Sequence, residues 1–454
     1  MQFLSIYFNS FSRVVLVVLT LSLLAFVLGY SLVYALGIAL FLIGCYASVK
    51  FPRGVLFGLI VLRMSLDYSS QYLAIPITYN VTLSLSQLIG ILVFALGCLF
   101  LLVHGKKLKG ISLIGAIVLL LGFGLANLTY SISPNETARE LLRIADIALL
   151  FCMAYSAIKT QRHYKMLLET IMVSSIVPSL LALYQYFNGI GFVDETVQIP
   201  RIYGTFSHPN VLSLYLFIVI ALTTLYYVLF AKSQVKKIGV FMLIAFYAVL
   251  LLLTYTRIAW IALFAFLFIV IWFSNRKLIA PLVLIPLALY VFVLPVQERI
   301  NRALYSSPTD SVAWRQTLWQ DNIRQTIIHD KWLLGYGINT FPLVSENLRG
   351  QALGSNDAHN DFVKFFVEGG VVGLGVFCLY LLAIFALLAK RLRKAKNERE
   401  RYAYLCLLAI FIGMLLASFT DNVFKNTPLQ WIFWVLLGAS LSSMLPQKKS
   451  EFPA

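Results

Sequence analysis

Apolar residues in this chain fall in long unbroken runs, without the strict alternation that marks a half-buried strand. The runs lie near 14–29, 32–49, 54–66, 83–103, 111–126, 141–158, 166–187, 209–231, 238–256, 258–274, 279–295, 362–389, 403–419 and 430–445. Most approach the roughly 20 residues that a helix needs to cross a hydrocarbon core about 30 Å thick. The first pair is one apolar stretch divided at Gly29-Tyr30, and the third run is short, so the count is about fourteen with about twelve as the other reading. A transmembrane barrel would show short alternating segments instead. The pattern therefore predicts an all-α, polytopic transmembrane helical bundle. Its divisions are spans with short loops over 1–295, a large outer loop over 296–361 that is partly helical, and further spans with a tail over 362–454.

Composition excludes a soluble domain. Hydrophobic residues make up 60% of the chain and charged ones only 12%, against about a quarter charged in soluble proteins. Charge then orients the bundle. Lys106, Lys107 and Lys109 share one loop, and Lys159, Arg162 and Lys165 another. Lys232, Lys236 and Lys237 mark a third, Arg276 with Lys277 a fourth, and the segment from Lys390 to Arg401 a fifth. With fourteen spans all of them, and Lys448-Lys449, fall on one side, which the positive-inside rule makes cytoplasmic. Both termini are then cytoplasmic, and the first run reads as a retained span that follows Arg13. The net charge of +17 is explained by topology, without nucleic acid as a partner. Cys45, Cys98, Cys152, Cys378 and Cys406 all sit in apolar runs, with neither disulfide nor zinc spacing.

The other face carries loops near 67–82, 127–140, 188–208, 296–361 and 420–429. The candidate chemistry collects there. Arg201 precedes a span in the stretch Arg201-Ile-Tyr-Gly-Thr-Phe-Ser-His208-Pro-Asn210. Arg257 is wedged between two spans in Thr254-Tyr-Thr-Arg257. Both oppose the positive-inside trend, and guanidinium forks bind phosphate oxygens without losing charge in a partly dry site. Snorkelling accounts equally for Arg257, and a solvated loop charge for Arg201. His359 lies where the long loop meets the next span, followed by Asn360 and, inside the span, by Glu368. Imidazole suits the acceptance of a hydroxyl proton at neutral pH, although a lone histidine is more often structural. Glu368 in an apolar segment is expected to face the bundle interior. Nine residues separate it from His359, so no contact between them is expected. Asp361, Asp421 and Lys425 read as ordinary loop charges. No metal-ligand spacing, phosphate-binding glycine loop or G-x-S-x-G elbow occurs. A glycosyl donor would therefore be lipid-linked more readily than nucleotide-linked.

Taken in order, Arg201-x-x-Gly-Thr-Phe-x-His-Pro-Asn, Thr-x-Thr-Arg257, Gly335-Tyr-Gly-Ile-Asn and His359-Asn-Asp-Phe with Glu368-Gly resemble the O-antigen ligase/polymerase superfamily. The resemblance covers roughly residues 195–380. It implies a glycosyltransferase of the bacterial inner membrane that takes a glycan from undecaprenyl diphosphate at the periplasmic face, inverting the anomeric centre. Neither a cofactor nor a metal is implied. Carried onto this chain, Arg201 and Arg257 would hold the donor diphosphate and His359 would activate the acceptor hydroxyl. Arg315 would be a further donor-binding arginine, with Asn360, Glu368, His208 and Asn210 in support. The acceptor would be lipid A core for a ligase, or another lipid-linked glycan for a polymerase, with membrane lipids around both. The His-Asn element and the single large loop favour the ligase; Arg324 and Gly335 follow a polymerase loop pattern. A secondary transporter would instead use ionisable groups at mid-membrane, such as Asp146 or Glu169.

Overall fold

A computed structural model describes residues 42–67, 74–78, 81–104, 113–194, 197–304, 311–349 and 356–443. The expected spans at 14–29 and 32–49 lie outside these residues apart from a helical stretch at 42–50, as do Lys106, Lys107, Lys109 and the C-terminal lysine pair. The described chain is α-helical, as the apolar runs predict. Its helices are α1 (Pro52–Leu66), α2 (Leu85–His104), α3 (Leu113–Asn127), α4 (Pro134–Ala157), α5 (Gln161–Ser174) and α6 (Ile176–Phe187). After these come α7 (Pro209–Phe230), α8 (Gln234–Leu253), α9 (Arg257–Ser274), α10 (Ile279–Phe292), α11 (Leu294–Leu304), α12 (Ser311–Ile328) and α13 (Phe341–Arg349). The chain closes with α14 (Asp361–Arg393), α15 (Glu398–Ala417) and α16 (Thr427–Ser443). Two small antiparallel hairpins, β1 (Ala74–Thr78) with β2 (Val81–Ser84) and β3 (Phe192–Asp194) with β4 (Val197–Arg201), decorate loops in which no strand was expected.

Among the described residues, six helical segments are long and apolar enough to cross a membrane, α5 and α6 counting as one. The run at 166–187 is broken at Ser175 into those two helices. The helix expected at 141–158 starts earlier, at Pro134, because its first turns are charged yet helical: Arg139 pairs with Glu136 and Arg143 with Glu140 at i,i+3 spacing. The run at 279–295 yields only the fourteen residues of α10, which contains Pro286. Central to the bundle is α7, with 78% of its most apolar window buried, whereas α8 is buried over only 17% and turns apolar side chains outward as lipid contact requires. Between α4 and α16 a Cβ added at Gly438 would stand 2.5 Å from the Phe151 carbonyl, a close approach of the kind small residues permit between membrane helices.

Helix α14 is broken at Gly370, whose φ of 63° belongs to the left-handed region. The break releases backbone groups that the loop segment 332–337 takes up. Val371 N and Val372 N donate to the carbonyls of Trp332 and Leu333, while Tyr336 N and Gly337 N donate to those of Val367 and Glu368. There is no room for side chains at this seam, since a Cβ on Gly335 would fall 2.3 Å from the Glu368 carbonyl carbon. The long loop is thus sewn onto the middle of a spanning helix.

Candidate functional site

The site is assembled from helix ends that meet at one end of the bundle. His208 caps α7: it is extended, with φ −151° and ψ 147°, and its Nδ1 accepts the Asn210 amide at 3.1 Å. Pro209 at the first helical position needs no partner for a missing N–H. Asn360 caps α14, its Oδ1 accepting from Phe362 N at 2.9 Å and Val363 N at 3.1 Å. Between α8 and α9 the chain turns through Tyr255, whose φ of 51° is left-handed. Thr256 then precedes α9 without capping it through its side chain.

That uncommitted hydroxyl serves Arg201. The guanidinium, 4% exposed, donates from Nε to the Thr254 carbonyl at 2.8 Å and from Nη2 to Thr256 Oγ1 at 2.9 Å and Asn210 Oδ1 at 3.1 Å. The β3–β4 hairpin delivers Arg201 to this position as its final residue. Arg201 therefore braces the turn from which Arg257 projects. Arg257 differs: its Nη1 is buried with no hydrogen-bond partner among the described residues. An unpartnered guanidinium nitrogen at a helix start suits an anion.

Asp421, in the loop between α15 and α16, joins the two halves. Its Oδ2 accepts from Asn210 Nδ2 at 2.8 Å, its Oδ1 accepts from Asn422 N at 2.8 Å, and Oδ1 also lies 3.5 Å from His359 Nδ1. The last distance is an electrostatic contact at the outer edge of hydrogen bonding. A continuous path thus runs from Arg201 through Asn210 and Asp421 to His359. Burial favours a neutral Asp421, but His359, Arg315 and His208 outweigh it and hold the carboxyl well below the usual carboxylate range. His208 moves the other way, down to about 4, chiefly through burial and then through Arg201, with His359 and Arg315 adding and Asp421 opposing. His208 is therefore neutral at neutral pH.

His359 itself has a left-handed φ of 46° and packs edge-on against Trp314 at 6.4 Å between ring centroids. Its neighbours are fixed. Asn360 N donates to Asn422 Oδ1 at 3.2 Å, and Trp319 Nε1 donates to the Ala358 carbonyl at 2.6 Å. Arg315 reaches the same loop, donating from Nη1 to the Thr420 carbonyl at 2.8 Å.

Arg201, His208, Asn210, Arg315, His359 and Asn360 are therefore brought together, and Arg257 follows directly on the turn that Arg201 holds. Glu368 is not with them. It is 1% exposed, pairs with Lys364 and accepts the Phe341 amide at 3.0 Å, within the seam that docks the long loop. Of the three residues read as plain loop charges, Asp361 is wholly buried and accepts Phe424 N at 3.0 Å, and Lys425 pairs with Asp357 at 3.0 Å. The third, Asp421, is a hub of the site. Its presence with Asn422 in a short loop on the same face as His359 was the available signal. Thr254, Thr256 and Trp314 also went unremarked as site residues. The mid-membrane candidates lie apart: Asp146 is buried on α4, and Glu169 is bound to Lys165 and Tyr226. At the broken helix the carbonyls of Val367 and Glu368 are already occupied by loop amides, which leaves them poor ion ligands.

The comparison with known families bears directly on this arrangement. Residues 239–378 match the O-antigen ligase family. The match spans just under a third of the chain and includes Arg257, Arg315, His359 and Glu368, while Arg201 and Asp421 lie outside it. It supports the O-antigen ligase/polymerase superfamily that the ordered motifs resemble, and with it a ligase- or polymerase-type function in a multi-pass bacterial membrane protein. No curated protein matches the chain.

Proposed function

We propose that this protein transfers a glycan from undecaprenyl diphosphate to an acceptor hydroxyl at the periplasmic face, as an O-antigen ligase with lipid A core as acceptor. The observation that carries this reading is the path Arg201–Asn210–Asp421–His359, which puts a base, a fixed anion and a fixed cation in one connected unit. Ionised Asp421 favours the tautomer with the proton on His359 Nδ1, leaving Nε2 to accept. As the acceptor oxygen attacks the anomeric carbon, Nε2 takes its proton and the bond to the diphosphate oxygen breaks on the opposite face, inverting the centre. The imidazolium that forms is stabilised by Asp421. Charge that develops on the departing diphosphate is met by Arg257, whose Nη1 has no hydrogen-bond partner among the described residues, while Arg201 fixes the turn beneath it and adds its own charge. Asn360 sets the backbone at His359 and starts α14; Asn210 and His208 hold Asp421 and the head of α7. The acceptor pairs with this site in either chemistry, since a second lipid-linked repeat would make the same protein a polymerase.

The test is transfer by purified protein supplied with undecaprenyl-diphosphate glycan and lipid A core. His359→Ala should reduce the rate by about 10²–10⁴-fold with donor binding retained. A variant that keeps more than about a tenth of the wild-type rate removes His359 as the base. In a deletion strain, uncapped core with accumulated long chains fits the ligase, and core bearing a single repeat fits the polymerase.

A further inference from the structure

At the end of the bundle opposite His359 a cavity of about 520 Å³ opens where the start of α1 meets α2, the end of α4 and the start of α5. Its charged lining is Lys50, Arg53 and His163, without an acidic residue. Arg53 donates from Nη1 to His163 Nε2. A ring nitrogen that accepts is unprotonated, so in the neutral ring the proton sits on Nδ1. That Nδ1 and the hydroxyl of Ser156, which also lines the cavity, are both buried without a hydrogen-bond partner among the described residues. The floor adds a third feature of the same sign: α1 opens beside the cavity with Pro52 at its first position and no side-chain cap from Phe51. Neighbouring Lys159 is committed elsewhere, donating to the Tyr155 carbonyl and Ser442 Oγ.

Two cations, two donors lacking acceptors and a helix N-terminus converge with no carboxylate among the described lining residues to answer them. Buried donors are seldom left unsatisfied, so the arrangement is complementary to an oxyanion. Apolar side chains lie in and near the cavity: Phe51 in the lining is 46% exposed, and Leu102 and Val103, just beyond the lining residue Phe100 on α2, are 85% and 52% exposed. We propose that this cavity binds the phosphate of an anionic phospholipid headgroup in the leaflet at that end of the bundle, with acyl chains passing over these apolar residues. The inference is independent of the transfer chemistry.

Native mass spectrometry of the full-length protein tests it, with phosphatidylglycerol and phosphatidylcholine as probes. Wild type should retain phosphatidylglycerol in preference. Each basic residue near an anionic surface contributes about fivefold in affinity, so Lys50→Gln with Arg53→Gln should weaken retention about 25-fold. Lys236→Gln with Lys237→Gln, in the first turn of α8 at that end, should leave it unchanged. Lys50 is exposed, so Lys50→Gln alone preserves packing and should still cost about fivefold if the double variant fails to fold. Inorganic phosphate at about 10 mM separates the sources. Persistence of the bound lipid supports a headgroup site, whereas displacement supports the same phosphate chemistry supplied from water. Equal retention of the two lipids, full retention by Lys50→Gln, or equal weakening by the Lys236/Lys237 control would overturn the proposal.

Discussion

Replacing Asp421 with asparagine isolates the step on which the proposed mechanism turns. The side chain keeps its shape, and its amide oxygen can still accept from Asn210, so the junction of α7 with the 418–426 loop should survive. What is lost is a full negative charge 3.5 Å from His359 Nδ1, together with the acceptor for the Asn422 amide. Two unit charges near that distance interact by about 4 kcal/mol at an effective dielectric of 20. The two side chains remain 17% and 16% exposed, so solvent screens part of this, and about 3 kcal/mol is a reasonable loss for the transition state in which His359 becomes an imidazolium. That corresponds to about a hundredfold in kcat. The KM for the lipid-linked donor should barely move, because Asp421 faces the base and the diphosphate is assigned to Arg257. Steady-state transfer in detergent measures kcat and KM together. A kcat within about threefold of wild type would refute the His359–Asp421 assignment.

Other expectations follow from individual contacts. Arg257→Lys should lose nearly as much donor affinity as Arg257→Ala, about 1.5–3 kcal/mol, because an ammonium cannot replace the fork; near-normal donor binding by the lysine variant would favour a snorkelling arginine. Asp357 is drawn down to about 2 because Lys425 and Lys364 outweigh its burial. A depressed folded value stabilises the native state above the unfolded value near 3.9, so Asp357→Asn should cost at most about 2 kcal/mol at pH 5–7, with the difference from wild type vanishing as pH falls from about 4 to about 2 in thermal unfolding scans. Gly370→Ala would force a left-handed alanine, at roughly 1–2 kcal/mol, and set its Cβ 2.2 Å from the Leu333 carbonyl carbon, so the 332–337 segment should become protease-sensitive; Gly375→Ala, with open space around it, should not behave this way. For orientation, cysteine at Gln316 should react with an impermeant maleimide in spheroplasts and cysteine at Lys396 should not; the reverse pattern would turn the bundle over.

What could be read from the chain divides by physical range. Span positions are local, because an apolar run long enough to cross a membrane has few other folds available. The charged first turns of α4 hid its true start, since a hydropathy reading discounts Glu136, Arg139, Glu140 and Arg143 even where they pair along one helix. Arg201 and Arg257 stand out because each opposes the positive-inside trend, and His359 through the chemistry of imidazole and the motif that carries it. Asp421 violates no local expectation: a carboxylate in a polar loop is ordinary until the fold brings α7 and α14 beside it. Glu368 was the converse, a buried carboxylate that invited a role near the chemistry but is occupied by Lys364 and the Phe341 amide. Contacts between residues more than two hundred positions apart, such as Asn210 with Asp421, leave no periodic trace.

The fold also explains how His359 can keep a backbone conformation that most residues avoid. A left-handed non-glycine residue costs roughly 1–2 kcal/mol and persists only where its surroundings over-determine it. Here the turn at 357–360 is held from two sides. From the long loop, α12 contributes Trp319 to the Ala358 carbonyl and Trp314 to the imidazole face. From the bundle, Asn422 receives the Asn360 amide and the Ser418 carbonyl receives that of Asp361. Arg315 then ties α12 to the same loop through Thr420, and the seam at Gly370 fixes the far end of the long loop. Each restraint alone is a single hydrogen bond worth about 1 kcal/mol net. Together they exceed the strain at His359 and fix its backbone beside the loop that carries Asp421. On the mechanism proposed above, a base carried on so fixed a turn needs no large backbone movement to act, and the motions of the reaction would fall to the two substrates.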